Sequence, residues 1–413
     1  MTALAIETAA ANRAVASTDG TDGTRGSGDA RPPAVARDPG ITITADGTYG
    51  ARLAGKGDAL FPERWTLDGP EPYAVPLPLD QPEERGTQVL PLSDGRVLIR
   101  RRVAERHTFS LLYPTGPATG ELALGAVTAE ELTLLPPSPD GARAYALAPG
   151  ARTTGIWLVA GGGAVGPQHV ADVAGHCSGG AWLDRTGRLL AVDRRQPDGG
   201  PVKTVAVDLA RGGEVTPLLQ ITDDSDDRLL LADPDSGLLL VRSNAPGPGQ
   251  DLLGWGVLGS LRPVRFPRSL RLPDALVTPF AVQPGQVLMP ESCAVALRID
   301  GAAGSWVGMW RPADRRLRQL PAPAGWLAGS GTWNREGVLQ LPCATESMPC
   351  AVVRAKAPAA SVPPAQTCPH ETATEPAQPE AAGGEPCKDS VSPVVCRPVP
   401  LQQAPLTGRG ARG

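Results

Sequence analysis

The stretch that decides the fold covers residues 137–162 and reads PSPDGARAYALAPGARTTGIWLVAGG. It opens with a polar turn at Asp140–Gly141, continues into a short apolar run, crosses a polar loop and ends in a second apolar run around Trp157. Glycine takes the positive φ that a tight hairpin demands, and aspartate hydrogen-bonds to the backbone of such turns. The stretch therefore predicts two antiparallel strands, at residues 142–147 and 156–159.

The same pattern recurs along the chain at intervals of 46 to 52 residues. A short run precedes each turn, an apolar strand follows it, and a third and a weaker fourth run come later. The turn glycines are Gly47, Gly95, Gly141, Gly187, Gly237, Gly285 and Gly337. Four short antiparallel strands per repeat of this length are typical of a propeller blade. We therefore predict an all-β fold, a seven-bladed β-propeller of four-stranded antiparallel blades, with six or eight blades as alternatives.

The two ends of the chain differ from the middle in composition. Residues 1–38 lack strand-like alternation, and residues 357–413 are rich in proline and nearly free of aromatic residues. Neither has the apolar content that offsets the cost of ordering a chain, so both are predicted to be disordered. The propeller is predicted at 39–356, and residues 34–37 are a candidate fourth strand that closes the last blade.

The motif SPDGARAYAL…GIWLV resembles the repeats of TolB-like and related WD-repeat propellers. In those repeats an SPDG-type turn precedes the second strand, and the third strand carries an aromatic residue among aliphatic ones. No repeat here combines a Gly-His with a Trp-Asp pair, which favours the TolB-like branch. The resemblance implies a fold and carries no catalytic residues.

Catalytic and metal-binding motifs are missing from the sequence. It contains no G-x-S-x-G elbow, no P-loop and no H-E-x-x-H. The four histidines fall in different repeats and in the tail, and Cys177 beside His176 is unsuited to pair with it, because adjacent residues rarely bring imidazole and sulfur together. We expect a protein that is not an enzyme and has no cofactor and no metal. Cys343 and Cys350 are expected to be free thiols, and the tail cysteines do not match a zinc pattern.

Charge and hydropathy limit the classes of partner. The net charge of −4 gives no reason to expect nucleic-acid binding, and no apolar run is long enough to span a membrane. The N-terminus lacks the pattern of a secretory signal, and the cysteine count of seven is odd. We expect a cytoplasmic monomer whose partner is an unidentified protein or peptide.

Charged residues are predicted to gather on one face of the propeller, where the loops between second and third strands meet the connectors between blades. They form a mixed-charge rim, for which solvated loops are the alternative interpretation. The candidate binding residues are Arg101, Arg102, Arg106, His107, His176, Arg194, Arg195, Asp223, Asp224, Asp226 and Asp227.

Three functions are compatible with this pattern. The first is a non-catalytic scaffold for protein or peptide interaction. The second is suggested by the resemblance to prolyl oligopeptidase-type peptidases, in which a seven-bladed propeller filters substrates for an α/β-hydrolase domain. The chain would then be a stand-alone partner or degenerate relative that gates substrate for a separately encoded catalytic subunit. The third is a small-molecule-binding sensor.

Overall fold

The computed structural model describes residues 40–163, 166–247, 249–284 and 289–357. All of them belong to the first of the chain's two units, Met1–Ser361, and the second unit, Val362–Gly413, lies outside the described residues. Also outside them lie the predicted disordered segment 1–38, the candidate strand at 34–37, the tail cysteines and all but the first residue of the predicted disordered segment 357–413.

The described residues form successive antiparallel sheets, as the sequence predicts, and the only helices among them are three short 3-10 turns. The first sheet is β1 (Thr42–Ile43), β2 (Tyr49–Lys56), β3 (Ala59–Thr66) and β4 (Tyr73–Pro76). The second is β5 (Gln88–Pro91), β6 (Val97–Val103), β7 (Arg106–Pro114) and β8 (Thr119–Thr128). The third is β9 (Thr133–Leu134), β10 (Ala144–Pro149), β11 (Thr153–Ala160) and β12 (Gln168–Ala174).

The fourth sheet contains two antiparallel groups. One is β13 (His176–Trp182), β14 (Leu189–Arg195), β15 (Lys203–Asp208) and β16 (Glu214–Leu219), and the other is β17 (Asp227–Ala232), β18 (Leu238–Ser243) and β19 (Leu252–Val257). A single parallel bridge between Lys203 and Asp227 joins the two groups.

Two further sheets complete the described chain. The fifth is β20 (Leu276–Val282), β21 (Val295–Gly301), β22 (Gly304–Trp310) and β23 (Arg318–Leu320). The sixth is β24 (Thr332–Trp333), β25 (Val338–Cys343) and β26 (Ala351–Lys356).

The repeated turns have the chemistry that the sequence predicts. Six of the seven turn glycines have φ between 65° and 80°, and Gly285 lies outside the described residues. In the third sheet, Asp140 Oδ1 accepts a hydrogen bond from the backbone N–H of Ala142 at 3.0 Å, and the Ser138 hydroxyl donates to the same oxygen at 2.6 Å. The aspartate thus closes the turn that glycine makes sterically possible.

The fifth sheet departs from the predicted repeat. A hairpin turn at Gly285 would place the next strand immediately after it, but β21 begins only at Val295. β20 ends at Val282, and a 3-10 turn at Pro290–Ser292 precedes β21, so no tight hairpin joins the two strands.

Apolar side chains fill the space between each pair of neighbouring strand groups. The second and third sheets enclose Phe109 and Leu98, for example, and the β17–β19 group and the fifth sheet enclose Trp255 and Trp310. The sixth sheet also packs on the first, where Trp65 joins a cluster with residues from 327 to 352. Each sheet is therefore covered on both faces, which explains the near-continuous apolar runs of the second strands.

No helix in the part of the chain that the structure describes has the length and apolar character needed to cross a membrane.

Candidate functional site

Strand pairing aligns the ends of four strands of the fourth sheet in one row. His176 of β13 pairs with Arg195, and Cys177 with Arg194 of β14. Arg194 pairs with Lys203 of β15, which is bridged to Asp227 at the start of β17. We call His176, Arg194, Arg195, Lys203 and Asp227 the charged row.

One end of the charged row is a buried ion pair. Lys203 Nζ lies 2.8 Å from Asp227 Oδ2, and the Asp227 side chain is fully buried. Asp227 also accepts hydrogen bonds from the hydroxyls of Ser243 (2.6 Å) and Ser225 (2.9 Å) and from the backbone N–H of Ile221 (2.9 Å). A buried carboxylate with this many donors is a structural element, because its hydrogen-bonding capacity is used up inside the protein.

The acidic loop, residues 221–226, wraps around the ammonium group of Lys203. Lys203 Nζ donates to the carbonyl oxygen of Ser225 at 2.6 Å and to that of Thr222. Asp226 Oδ1 accepts from the backbone N–H of Val202 at 2.6 Å. The ion pair thus fixes both ends of the loop, and its tip presents Asp223 and Asp224 to solvent.

The other end of the charged row combines exposed and buried groups. His176 and Arg195 are exposed, while Arg194 is half-buried and its Nε is buried with no hydrogen-bond partner. Cys177 is 1% exposed, and burial raises the pKa of its thiol to about 11. A thiol with that pKa is almost entirely protonated at neutral pH, so Cys177 is not an activated nucleophile.

Asp193 is a buried carboxyl beside the charged row that was not among the predicted site residues. Its Oδ1 accepts from the Thr204 hydroxyl at 2.8 Å and from the backbone N–H of Leu229 at 3.0 Å, and burial raises the pKa of this carboxyl. A β-bulge at residues 178–181 brings Gly179, with φ of 71°, close to Oδ2. Like Lys203, Asp193 gave no signal in the sequence beyond being a polar residue at the end of an apolar strand.

The predicted residues of the second sheet lie apart from the charged row. Arg101 is held by Glu83 and Glu121, each with an oxygen 2.7 Å from a guanidinium nitrogen. Arg102 and Arg106 are exposed at the β6–β7 hairpin. Within the described residues, no hydrogen bond or ion pair connects this hairpin to the charged row.

His107 does not belong to an exposed rim, and the prediction that it does is wrong. Its side chain is 2% exposed. Its Nδ1 is 3.2 Å from Nη1 of buried Arg100. Burial and then the charge of Arg100 lower the pKa of the imidazole, so the neutral form accepts from the guanidinium. Asp227, another candidate residue of the rim, is also buried, and its carboxylate pairs with Lys203.

Metal ligands are not gathered anywhere in the described residues: no three histidine, cysteine, aspartate or glutamate side chains there are placed to hold an ion. Cys343 and Cys350 are free thiols.

Comparison with known proteins shows a similarity of fold to solved structures. No protein-family model matches the sequence, and no curated protein matches it. Among solved structures, a puromycin-hydrolyzing peptidase of Mycobacterium tuberculosis is similar, with 16% identity over 76% of this chain and 51% of that chain and a TM-score of 0.46. Prolyl oligopeptidase B from Galerina marginata is 12% identical over 78% of this chain and 49% of that chain, with a TM-score of 0.48.

TolB from Acinetobacter baumannii is also similar, with 13% identity over 73% of this chain and 76% of that chain and a TM-score of 0.39. The chain thus spans about half the length of the two peptidases and most of the length of TolB. In its fold it resembles the TolB-like β-propellers.

Proposed function

We propose that the protein is a seven-bladed β-propeller that acts as a non-catalytic docking module for a protein or peptide. The count of seven treats the two groups of the fourth sheet as separate blades. It is supported by the seven turn glycines and by the apolar clusters that separate β13–β16 from β17–β19 and each of these groups from its other neighbour.

The docking role is supported by one observation: buried, paired charges hold the local structure in place, while neighbouring charged side chains are exposed to solvent. Asp227 and Lys203 hold the acidic loop in place, and cross-strand pairing holds β13 against β14. On this frame His176, Arg195, Asp223 and Asp224 are exposed. Free charges on a rigid support lose little conformational entropy on binding, which favours recognition of a charged partner.

Affinity purification of the full-length protein from its native host, followed by binding measurements with the recovered partner, tests this role. One variant, His176→Ala with Arg195→Ala, removes the basic side chains, and a second, Asp223→Asn with Asp224→Asn, removes the acidic ones. Matched controls change exposed residues of other sheets, Arg335→Ala with Arg354→Ala and Asp58→Asn with Asp80→Asn.

We expect at least one variant of the charged face to weaken the partner's affinity about tenfold, as the loss of two charge contacts implies, while the controls leave it unchanged. A partner that binds all variants alike would refute the role of this face. If the recovered partner is a hydrolase whose affinity falls in the variants of the charged face, the gating function is favoured. Turnover of a substrate by the purified protein would refute the non-catalytic role.

A further inference from the structure

The segment between β19 and β20 takes the place of a fourth strand in its group. It touches β19 through one bridge, in which Trp255 and Arg265 exchange both backbone hydrogen bonds at 2.9 Å. Its sequence from Leu261 is LRPVRFPRSLRLP, with an arginine at every third position. We call Arg262, Arg265, Arg268 and Arg271 the arginine strip.

All four side chains of the arginine strip are exposed, and none forms an ion pair with a carboxylate of the described residues. Residues between them hold the segment in place: Leu270 is 3% exposed, and the Phe266 ring lies against Gly254. The Arg265 guanidinium lies over the Trp255 ring, 5.1 Å from its centre. The strip is therefore a fixed row of uncompensated positive charge on a protein whose net charge is −4.

Two neighbouring cavities lie beside the first part of the strip: Arg262 lines both, and Arg265 lines the first. One has a volume of about 240 Å³ and is lined by Trp255, Pro263, Pro290 and the strip's first two arginines. The other, of about 290 Å³, is lined by aliphatic residues of β16, β18, β19 and the neighbouring loops, among them Leu218, Leu239 and Val264, and by the polar Gln220 and Ser260. Leu261, next to Arg262, is fully exposed, and Met289, next to Pro290, is 57% exposed. Apolar surface and positive charge thus lie side by side.

We propose that the arginine strip and its two cavities bind an extended acidic peptide segment of a partner protein, with an apolar side chain of that peptide entering a cavity. Carboxylates placed along an extended chain pair with arginines spaced along another, and the exposed apolar groups give the anchor residue a place to be buried. Ile221, the first residue of the acidic loop, lines the second cavity, but none of the arginines of the strip belongs to the charged row or the acidic loop. Variants of the strip therefore test this surface separately from the function proposed above.

A peptide fits these observations better than a nucleic acid. Nucleic-acid binding rests on a broad positive field, whereas the strip is a single line on an acidic protein, with Glu291 at the edge of the first cavity. The cavities beside the strip also favour a ligand that carries apolar side chains as well as negative charge.

Fluorescence anisotropy with the full-length protein tests the proposal. The probe is a dye-labelled synthetic peptide with glutamate at every second position and one central phenylalanine, and the comparison probes are the same peptide with glutamine for glutamate and a single-stranded oligonucleotide. The strip variant is Arg262→Gln, Arg268→Gln and Arg271→Gln, which keeps the stacked Arg265. The control variant, Arg335→Gln, Arg354→Gln and Lys356→Gln, removes the same charge from the sixth sheet.

We expect the glutamate peptide to bind, the glutamine peptide not to bind, and the strip variant to lose about tenfold in affinity while the control variant keeps it. Leu261→Ser should weaken binding of the glutamate peptide without affecting folding. Absence of binding, equal losses in both triple variants, or tighter binding of the oligonucleotide would each overturn the proposal. A further variant changes Glu371, Glu375, Glu380 and Glu385 to glutamine. If this variant binds the peptide more tightly, the proposal is also overturned, because the chain's own C-terminal segment would then occupy the strip and its cavities.

Discussion

Ser330 and Ile41 join the sixth sheet to the first across 289 positions of sequence. The Ser330 hydroxyl donates to the carbonyl oxygen of Ile41 at 2.7 Å and accepts from its N–H at 3.2 Å. Ser330 is 4% exposed and Ile41 is 2% exposed, so water cannot replace these contacts. One hydroxyl thus satisfies both backbone groups of the residue that immediately precedes β1.

Replacing Ser330 with alanine should therefore weaken the contact between the first and last sheets. Ser330→Ala leaves two buried backbone groups of Ile41 unpaired, and we expect the free energy of unfolding in urea to fall by about 1–3 kcal/mol. Ser347→Ala removes an exposed hydroxyl of the same sheet and should change it by less than about 0.5 kcal/mol. Equal effects of the two substitutions would show that the first and last sheets do not depend on this contact.

The ion pair of Lys203 and Asp227 gives a second prediction. Lys203→Met leaves a fully buried carboxylate without its cation, and we expect a loss of about 3 kcal/mol in the free energy of unfolding. The double variant Lys203→Met with Asp227→Asn should recover part of this loss, because no unpaired charge is left buried. Lys56→Met breaks an ion pair in which both side chains are exposed, and serves as the control that should lose less than about 1 kcal/mol. If the double variant is less stable than Lys203→Met, the pairing is not the source of the effect.

The repeat could be predicted from the sequence because the turn chemistry is local. Asp140 and Gly141 act within their own hairpin, and the same is true of the other turns. The burial of Asp227 could not be predicted in this way, because the run TDDSDD is typical of a solvated loop and its partner Lys203 is 24 residues earlier. The long connection before Val295 was missed because a proline and a glycine near residue 285 match a hairpin turn.

Cysteine reactivity gives a third prediction. Burial raises the pKa values of the Cys177 and Cys293 thiols to about 11, so both are protonated at neutral pH and shielded from reagents. Alkylation with iodoacetamide at pH 7, followed by mass spectrometry, should leave both unmodified in the native protein. The same reagent should modify both in urea, which provides the control. Rapid native modification of Cys177 would contradict its burial and reopen a role for the neighbouring His176.

The pair of His107 and Arg100 gives a pH-dependence with a definite sign. The pKa of His107 is lowered from 6.5 in the folded protein by burial and by the charge of Arg100. Below pH 6.5 the unfolded chain therefore takes up a proton that the folded protein resists. The free energy of unfolding should thus fall as the pH decreases, by at most about 1.4 kcal/mol per pH unit from this group.

His107→Gln removes the titrating group, and its unfolding free energy should change less between pH 7 and pH 5 than that of the unmodified protein. An unchanged slope in His107→Gln, measured by urea unfolding across this range, would show that the buried imidazole does not resist protonation.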